Sequence, residues 1–137
     1  GSERLRGAPD GVRVVPSLAG ILEALPVDIS FVDADDTVRF WNKHETRIFK
    51  RPPAALGKTV QQCHPPKSVD KVQRVLSDLK SGRRDFAEFW IDLKGRKVHI
   101  RYFAVSGSTG KYLGTLEVSQ DITDIQKLEG EKRLLEY

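Results

Sequence analysis

Cys63 and His64 stand side by side and are the residues of this sequence best equipped for chemistry, since thiolate and imidazole both ligate zinc or haem iron. Two ligands do not make a structural zinc site, and neither His44 nor His99 stands in a metal-ligand spacing to them. Three roles stay open for the pair. Cys63 can be a small buried hydrophobe, with His64 bonded to nearby backbone. One of them can be an axial haem ligand, which predicts a Soret band. Or they can touch some other bound molecule. Asp33, Asp35 and Asp36 are a second cluster, but they fall between two strand-forming runs, where a tight turn demands such residues for backbone reasons. Turn chemistry is therefore favoured over acid catalysis or a metal site. The sequence holds no Gly-rich phosphate loop, no His-rich metal motif and no nucleophile motif with a spaced partner. No convergent catalytic set can be assembled, so the expectation is a protein that is not an enzyme, with no catalytic residues.

Positioning any of these side chains requires a folded domain, and 137 residues suffice for one. With 39% hydrophobic and 31% charged residues the composition is that of a soluble globular chain. No apolar run approaches the roughly 18 residues that span a bilayer, so no membrane contact is expected. A lone cysteine excludes an internal disulfide and suits a reducing, cytoplasmic setting. Gly1-Ser2 reads as a tag remnant. With no methionine in the sequence, the chain is expected to be a piece of a longer protein. The net charge of +4 owes much to Arg4, Arg6 and Arg13 in a Gly/Pro-containing arm, residues 1–15. Elsewhere bases and acids mix, and no basic stripe with interleaved aromatics offers a nucleic-acid surface.

After the arm, Pro16-Ser17 opens an amphipathic helix with Leu18, Ile21, Leu22 and Leu25, stopped by Pro26. Two short strands, 28–33 and 37–41, flank the Asp-rich turn as a hairpin. Asn42 is placed to cap a helix over 43–49, ended by Arg51-Pro52-Pro53. One or two helical turns follow, then an extended kink at Cys63-His64-Pro65-Pro66. A longer helix over 67–81 carries the stripe Val69, Val72, Leu76, Leu79 and stops at Gly82. From Asp85 the period becomes two: Ala87, Phe89, Ile91 and Leu93, the turn Lys94-Gly95, then Val98, Ile100, Tyr102 and Ala104. A last strand to Asp121 sets Tyr112, Gly114, Leu116 and Val118 on one face. Ile122, Ile125, Leu128 and Leu135 mark an amphipathic C-terminal helix. The architecture expected is α+β: a five-stranded antiparallel sheet with short helices on one face and flanking N- and C-terminal helices.

That order resembles the PAS fold, and three local patterns sharpen the likeness. Phe31-Val32-Asp33-Ala34-Asp35-Asp36 running on to Phe40-Trp41-Asn42 resembles the family's opening hairpin. Glu88-Phe89-Trp90 through Gly95 to Arg101-Tyr102 resembles its central hairpin. Tyr112-Leu113-Gly114 closing on Asp121-Ile122-Thr123 resembles its last strand and terminal junction. The resemblance covers residues 17 to 123, within a domain set at 16–123, followed by a signalling or dimerisation helix over 124–137. Cys63-His64-Pro65-Pro66 and the ending Leu128 to Leu135 are similar to PAS domains that follow a hemerythrin-like or uncharacterised helical domain in bacterial and archaeal proteins. Light-oxygen-voltage relatives carry a reactive Cys three residues after a Gly, followed by Arg-Phe-Leu-Gln. Here Cys63 stands six after Gly57, His-Pro-Pro follows it, and Ser119 replaces a flavin-contacting Gln, which argues against a covalent flavin switch.

The resemblance implies a sensory domain with a pocket between the sheet and the 42–66 segment. The residues expected around it are Trp41, Asn42, Phe49, Val60, Cys63, His64, Val69, Val72, Phe89, Ile100, Tyr102, Leu116 and Val118. Trp90 points to the other face by alternation and, with Phe103, calls for cover by a terminal helix or a second subunit. Leu18 and Leu22, with Asp121 as a cap and Ile125, Leu128 and Leu135 as a seam interrupted by Lys132, complete the expected homodimer and signalling set. The rivals are a ligand-free dimerisation module and a haem-binding redox or gas sensor using His64 or Cys63.

Overall fold

The computed structural model describes residues 11–136, with side chains from Pro16 onward. Helix α1 (Gly11–Ala24) begins ahead of the expected start, so Pro16 lies inside it and only residues 1–10 of the arm fall outside the described part. Proline's fixed φ is helical, and what the helix forgoes at Pro16 is the bond its missing N–H would make one turn back.

Strands β1 (Asp28–Asp33) and β2 (Val38–Trp41) form the expected hairpin. Asp33 organises its turn: Oδ1 accepts the N–H groups of Asp35 at 2.9 Å and Thr37 at 3.0 Å, and Arg39 pairs with Oδ2 at 2.7 Å. Burial raises the Asp33 carboxyl pKa, but these bonds outweigh it and hold the group below its usual value. No three of His, Cys, Asp and Glu come together as a metal-holding set among the described residues.

The chain then makes a 3-10 turn (Pro53–Ala55), the short helix α2 (Val60–Cys63) and the long helix α3 (Pro66–Lys80). No helix forms over 43–49. Lys43 has φ 52, and Asn42 caps nothing there because its side chain is spent on α1 and β1. The segment is instead drawn inward by Arg47, whose guanidinium bonds the carbonyls of Ile29, Asn42 and Phe49 and the Ser30 hydroxyl. Residues 57–60 run along the outer edge of β2, with Val38 N–H donating to Lys58 O and Gly57 N–H to Val38 O, both at 2.9 Å.

Strands β3 (Phe86–Leu93), β4 (Arg96–Ser106) and β5 (Tyr112–Asp121) complete one antiparallel sheet of order β2-β1-β5-β4-β3. Lys94 and Gly95, both at positive φ, make the two-residue turn that matches sheet twist. Helix α3 packs on the inner face, where Leu76 joins Val32, Val38, Trp41, Ala55 and Val60 in the core. Burying each large apolar side chain there is worth about 1.5–3 kcal/mol. Among the described residues no helix is long and apolar enough to cross a membrane.

The C-terminal helix expected over 124–137 is absent among the described residues. One 3-10 turn (Ile125–Lys127) forms, after which the chain is irregular, with Gly130 and Leu135 at positive φ. A helix this short needs a packed partner to persist. Leu128, Leu134 and Leu135 have none, at 77%, 90% and 74% exposure, so Ile125, Leu128 and Leu135 make no seam.

Asp121 therefore caps no helix. Its Oδ1 accepts the Thr123 N–H at 3.0 Å and hydroxyl at 2.7 Å, and Oδ2 accepts from Arg96 Nε at 2.7 Å. Arg96 first, then Thr123, hold the Asp121 carboxyl down at about 2, against an ordinary 3.8. A folded-state value below the unfolded one stabilises the fold above about pH 4 and stops doing so as pH falls toward 2. Melting curves of wild type and Asp121→Asn should thus separate above about pH 4 and converge near pH 2. A constant separation across that range would refute the assignment.

Candidate functional site

Alternation along the three long strands decides which side chains meet α2 and α3. Ala87 pairs with Tyr102, Phe89 with Ile100 and Ile91 with Val98, and on β5 the same face carries Thr115, Glu117 and Ser119. Between this face and the helices lies a cleft of about 580 Å³, lined by Phe49, Lys50, Arg51, Cys63, His64, Ser68, Phe89, Ile91, Ile100, Tyr102 and Glu117. A groove of about 400 Å³ continues it along α3 past Lys71, Val72, Val75 and Leu76. At its inner end a water-sized cavity of about 20 Å³ adds Val32, Val38, Val60 and Thr115.

The polar groups of the cleft come from a buried network. Ser30 Oγ accepts from Arg47 Nη2 and from Arg51 Nε, both at 3.1 Å. Arg51 Nη2 reaches Glu117 Oε2 at 3.1 Å, an ion pair with both side chains about 15% exposed. Burial, with Arg51 alongside, lowers the pKa of the Arg47 guanidinium. Burial, with the Glu117 carboxylate nearby, raises that of the Tyr102 phenol, so Tyr102 enters the cleft as a neutral hydroxyl.

His64 Nδ1 lies 2.9 Å from the Val60 carbonyl. A carbonyl only accepts, so Nδ1 carries a proton, and in the neutral ring Nε2 is the free acceptor. Cys63 is half-buried against the core and lines the cleft beside it, a small hydrophobe that also touches the site. His44 sits by the Trp41 ring and His99 bonds Glu88 at 2.8 Å, so the three histidines do not converge.

Of the residues expected around the pocket, Phe49, Val60, Cys63, His64, Val72, Phe89, Ile100 and Tyr102 line these spaces. Leu116 and Val118 do not. They pair with Phe103 and Arg101 on the outer face, because the inner face of β5 is its polar one. Trp41 is core, Val69 lines none of these spaces, and Asn42 is a buried structural lock. Arg51 and Glu117 escaped sequence reasoning, although a charged Glu117 between two apolar neighbours on a central strand was a signal for an inward polar group. On the outer face Phe86 stacks on Phe103, and Trp90, at 61% exposure, leans on His99. Leu18 and Leu22 of α1 are half-buried.

No curated protein matches the sequence. Among solved structures, a C-terminal domain from Streptococcus mutans is 33% identical with a TM-score of 0.82, over 93% of this chain and 96% of that one. The PAS domain of BvgS from Bordetella pertussis is 20% identical with a TM-score of 0.61, over 81% and 88%. A sensory box sensor histidine kinase from Vibrio cholerae is 15% identical with a TM-score of 0.56, over 82% and 94%. The last two share the fold. A family model described as PAS domain matches residues 18–123, the span that holds the whole sheet and both cleft helices. The chain belongs to the PAS domain family, whose members are typical of sensory and signalling proteins.

Proposed function

We propose that this domain binds a small molecule in the cleft between α2–α3 and the inner face of the sheet, and reports occupancy to attached segments rather than catalysing a reaction. The cleft itself carries the proposal: apolar walls from Phe49, Phe89, Ile91 and Ile100, with Arg51, Glu117, Tyr102 and His64 converging on one space. Few convergent polar groups in an apolar concavity is the usual build of a small-molecule site. A path outward exists along β5, which carries Glu117 on the cleft floor and ends at Asp121. There Arg96, Thr123 and the Lys97 N–H tie the exit of the chain to the β3–β4 turn. The exposed Phe86 and Trp90 on the opposite face suit a second copy of the chain, which would make the unit a homodimer.

Native mass spectrometry of the protein as purified tests the reading. A retained small mass is expected, lost in Ser68→Trp, which fills the cleft mouth at a half-buried position and should melt with the wild type once the latter is stripped of its bound mass. A wild-type spectrum free of any bound mass refutes it. The His64 geometry favours a haem-binding variant of the same reading, since metal-ligating histidines commonly donate the second ring N–H to a backbone carbonyl. Reconstitution with haemin that gives no His64-dependent Soret band removes that variant.

A further inference from the structure

We infer that the cleft selects a flat, uncharged molecule bearing an amide or imide edge, and discriminates against carboxylates and phosphates. The inference rests on the cleft reading above and specifies what the cleft takes. Arg51 spends Nε on Ser30 Oγ and Nη2 on Glu117 Oε2, both at 3.1 Å. Among the described residues, Arg51 Nη1 and Glu117 Oε1 have no hydrogen-bond partner, and both residues line the cleft and its inner cavity. The pair therefore offers one further donor and one further acceptor at the same space. A –CO–NH– unit is the complement: its carbonyl accepts from Nη1 while its N–H donates to Oε1.

An anion fits this arrangement poorly. It satisfies only the arginine half, and it sets a second negative charge against Glu117 where side chains about 15% exposed are weakly screened. The guanidinium charge is already neutralised by Glu117. Arg47, deeper still, has its nitrogens bonded to three carbonyls and Ser30. Lys50 Nζ is bonded to Glu45 O, and Lys71 stands at an exposed rim where water and salt screen it. Flatness is favoured by the wall: the Phe89 and Tyr102 rings stack on each other, 6.0 Å apart and 23° from parallel, and a planar body can continue that stack. Tyr102 stays a neutral hydroxyl, adding one further uncharged contact.

An isosteric set of probes tests this: 2-naphthamide, 2-naphthoate and 2-methylnaphthalene, measured by calorimetric titration and by thermal shift against protein stripped of any bound mass. The amide should bind about tenfold or more tighter than either of the others, the size of one charge-assisted hydrogen bond. In Glu117→Gln the freed Arg51 charge should turn the preference toward naphthoate. The wild-type comparison stands alone if that variant fails to fold. Naphthoate binding as tightly as the amide, or the amide no tighter than methylnaphthalene, overturns the inference while leaving the cleft as a binding site. Failure of all three probes to bind overturns both.

Discussion

Asn42→Ala should cost about 2–4 kcal/mol of stability and lower the melting temperature by roughly 10 °C or more. The side chain has no solvent exposure. Its Oδ1 accepts the Ile29 N–H at 2.7 Å, and its Nδ2 donates to Leu22 O at 2.7 Å and Val27 O at 3.1 Å. Leu22 O belongs to the last turn of α1, whose carbonyls have no partner within the helix. One amide thus closes the end of α1, the entry to β1 and the end of β2. Alanine leaves a donor and two acceptors buried and unpaired, each costing on the order of 1 kcal/mol or more. Asn42→Asp should fare worse, because a carboxylate faces two carbonyls there. Urea unfolding of the three proteins is the measurement, and a loss under about 1 kcal/mol for alanine would contradict the argument.

Gly114→Ala should cost about 1–3 kcal/mol or more through overpacking. A Cβ built at Gly114 lies 2.2 Å from Val32 O and 2.7 Å from Phe31 Cζ. The carbonyl belongs to β1, which pairs with β5 at Asp33 and Gly114, so it cannot move without opening that ladder. The Phe31 ring can rotate away, but the backbone oxygen cannot. Gly95→Ala is the contrast, since its Cβ meets nothing within 4 Å and only its φ of +78° is strained. The melting temperature of Gly114→Ala should fall well below that of Gly95→Ala. Equal losses would mean that the contact with β1 is not what requires glycine at 114.

Strand content was the part most legible in the sequence. Period-two alternation over 85–106 and the Lys94-Gly95 turn fix the β3–β4 hairpin, and the Asp33 turn fixes β1–β2. Alternation says which residues share a face, not which face the helices cover. Leu116 and Val118, expected around the pocket, lie on the outer face, where Ile29 and Val118 are buried, and the cleft floor is Thr115, Glu117 and Ser119. The 43–49 helix failed for another reason. Its tertiary bonds, Arg47 to the Ile29 carbonyl and Asp28 to the Ile48 N–H at 2.6 Å, tie it to β1 in an irregular path that local propensity does not encode. The C-terminal stripe of leucines has helical spacing without a surface to bury it.

The two borders of the sheet are unlike each other, and that bears on aggregation. On one side, residues 57–60 already bond the backbone of Val38. On the other, β3 runs for eight residues with no strand beyond it among the described residues, with Phe89 on its inner face and Trp90 on its outer face, between Glu88 and Asp92. Fibril growth needs two adhesive borders per molecule, so that each added chain leaves a new one free. Here pairing through β3 consumes the open border of both participants and ends at two chains, while the acidic residues on that strand repel a like neighbour.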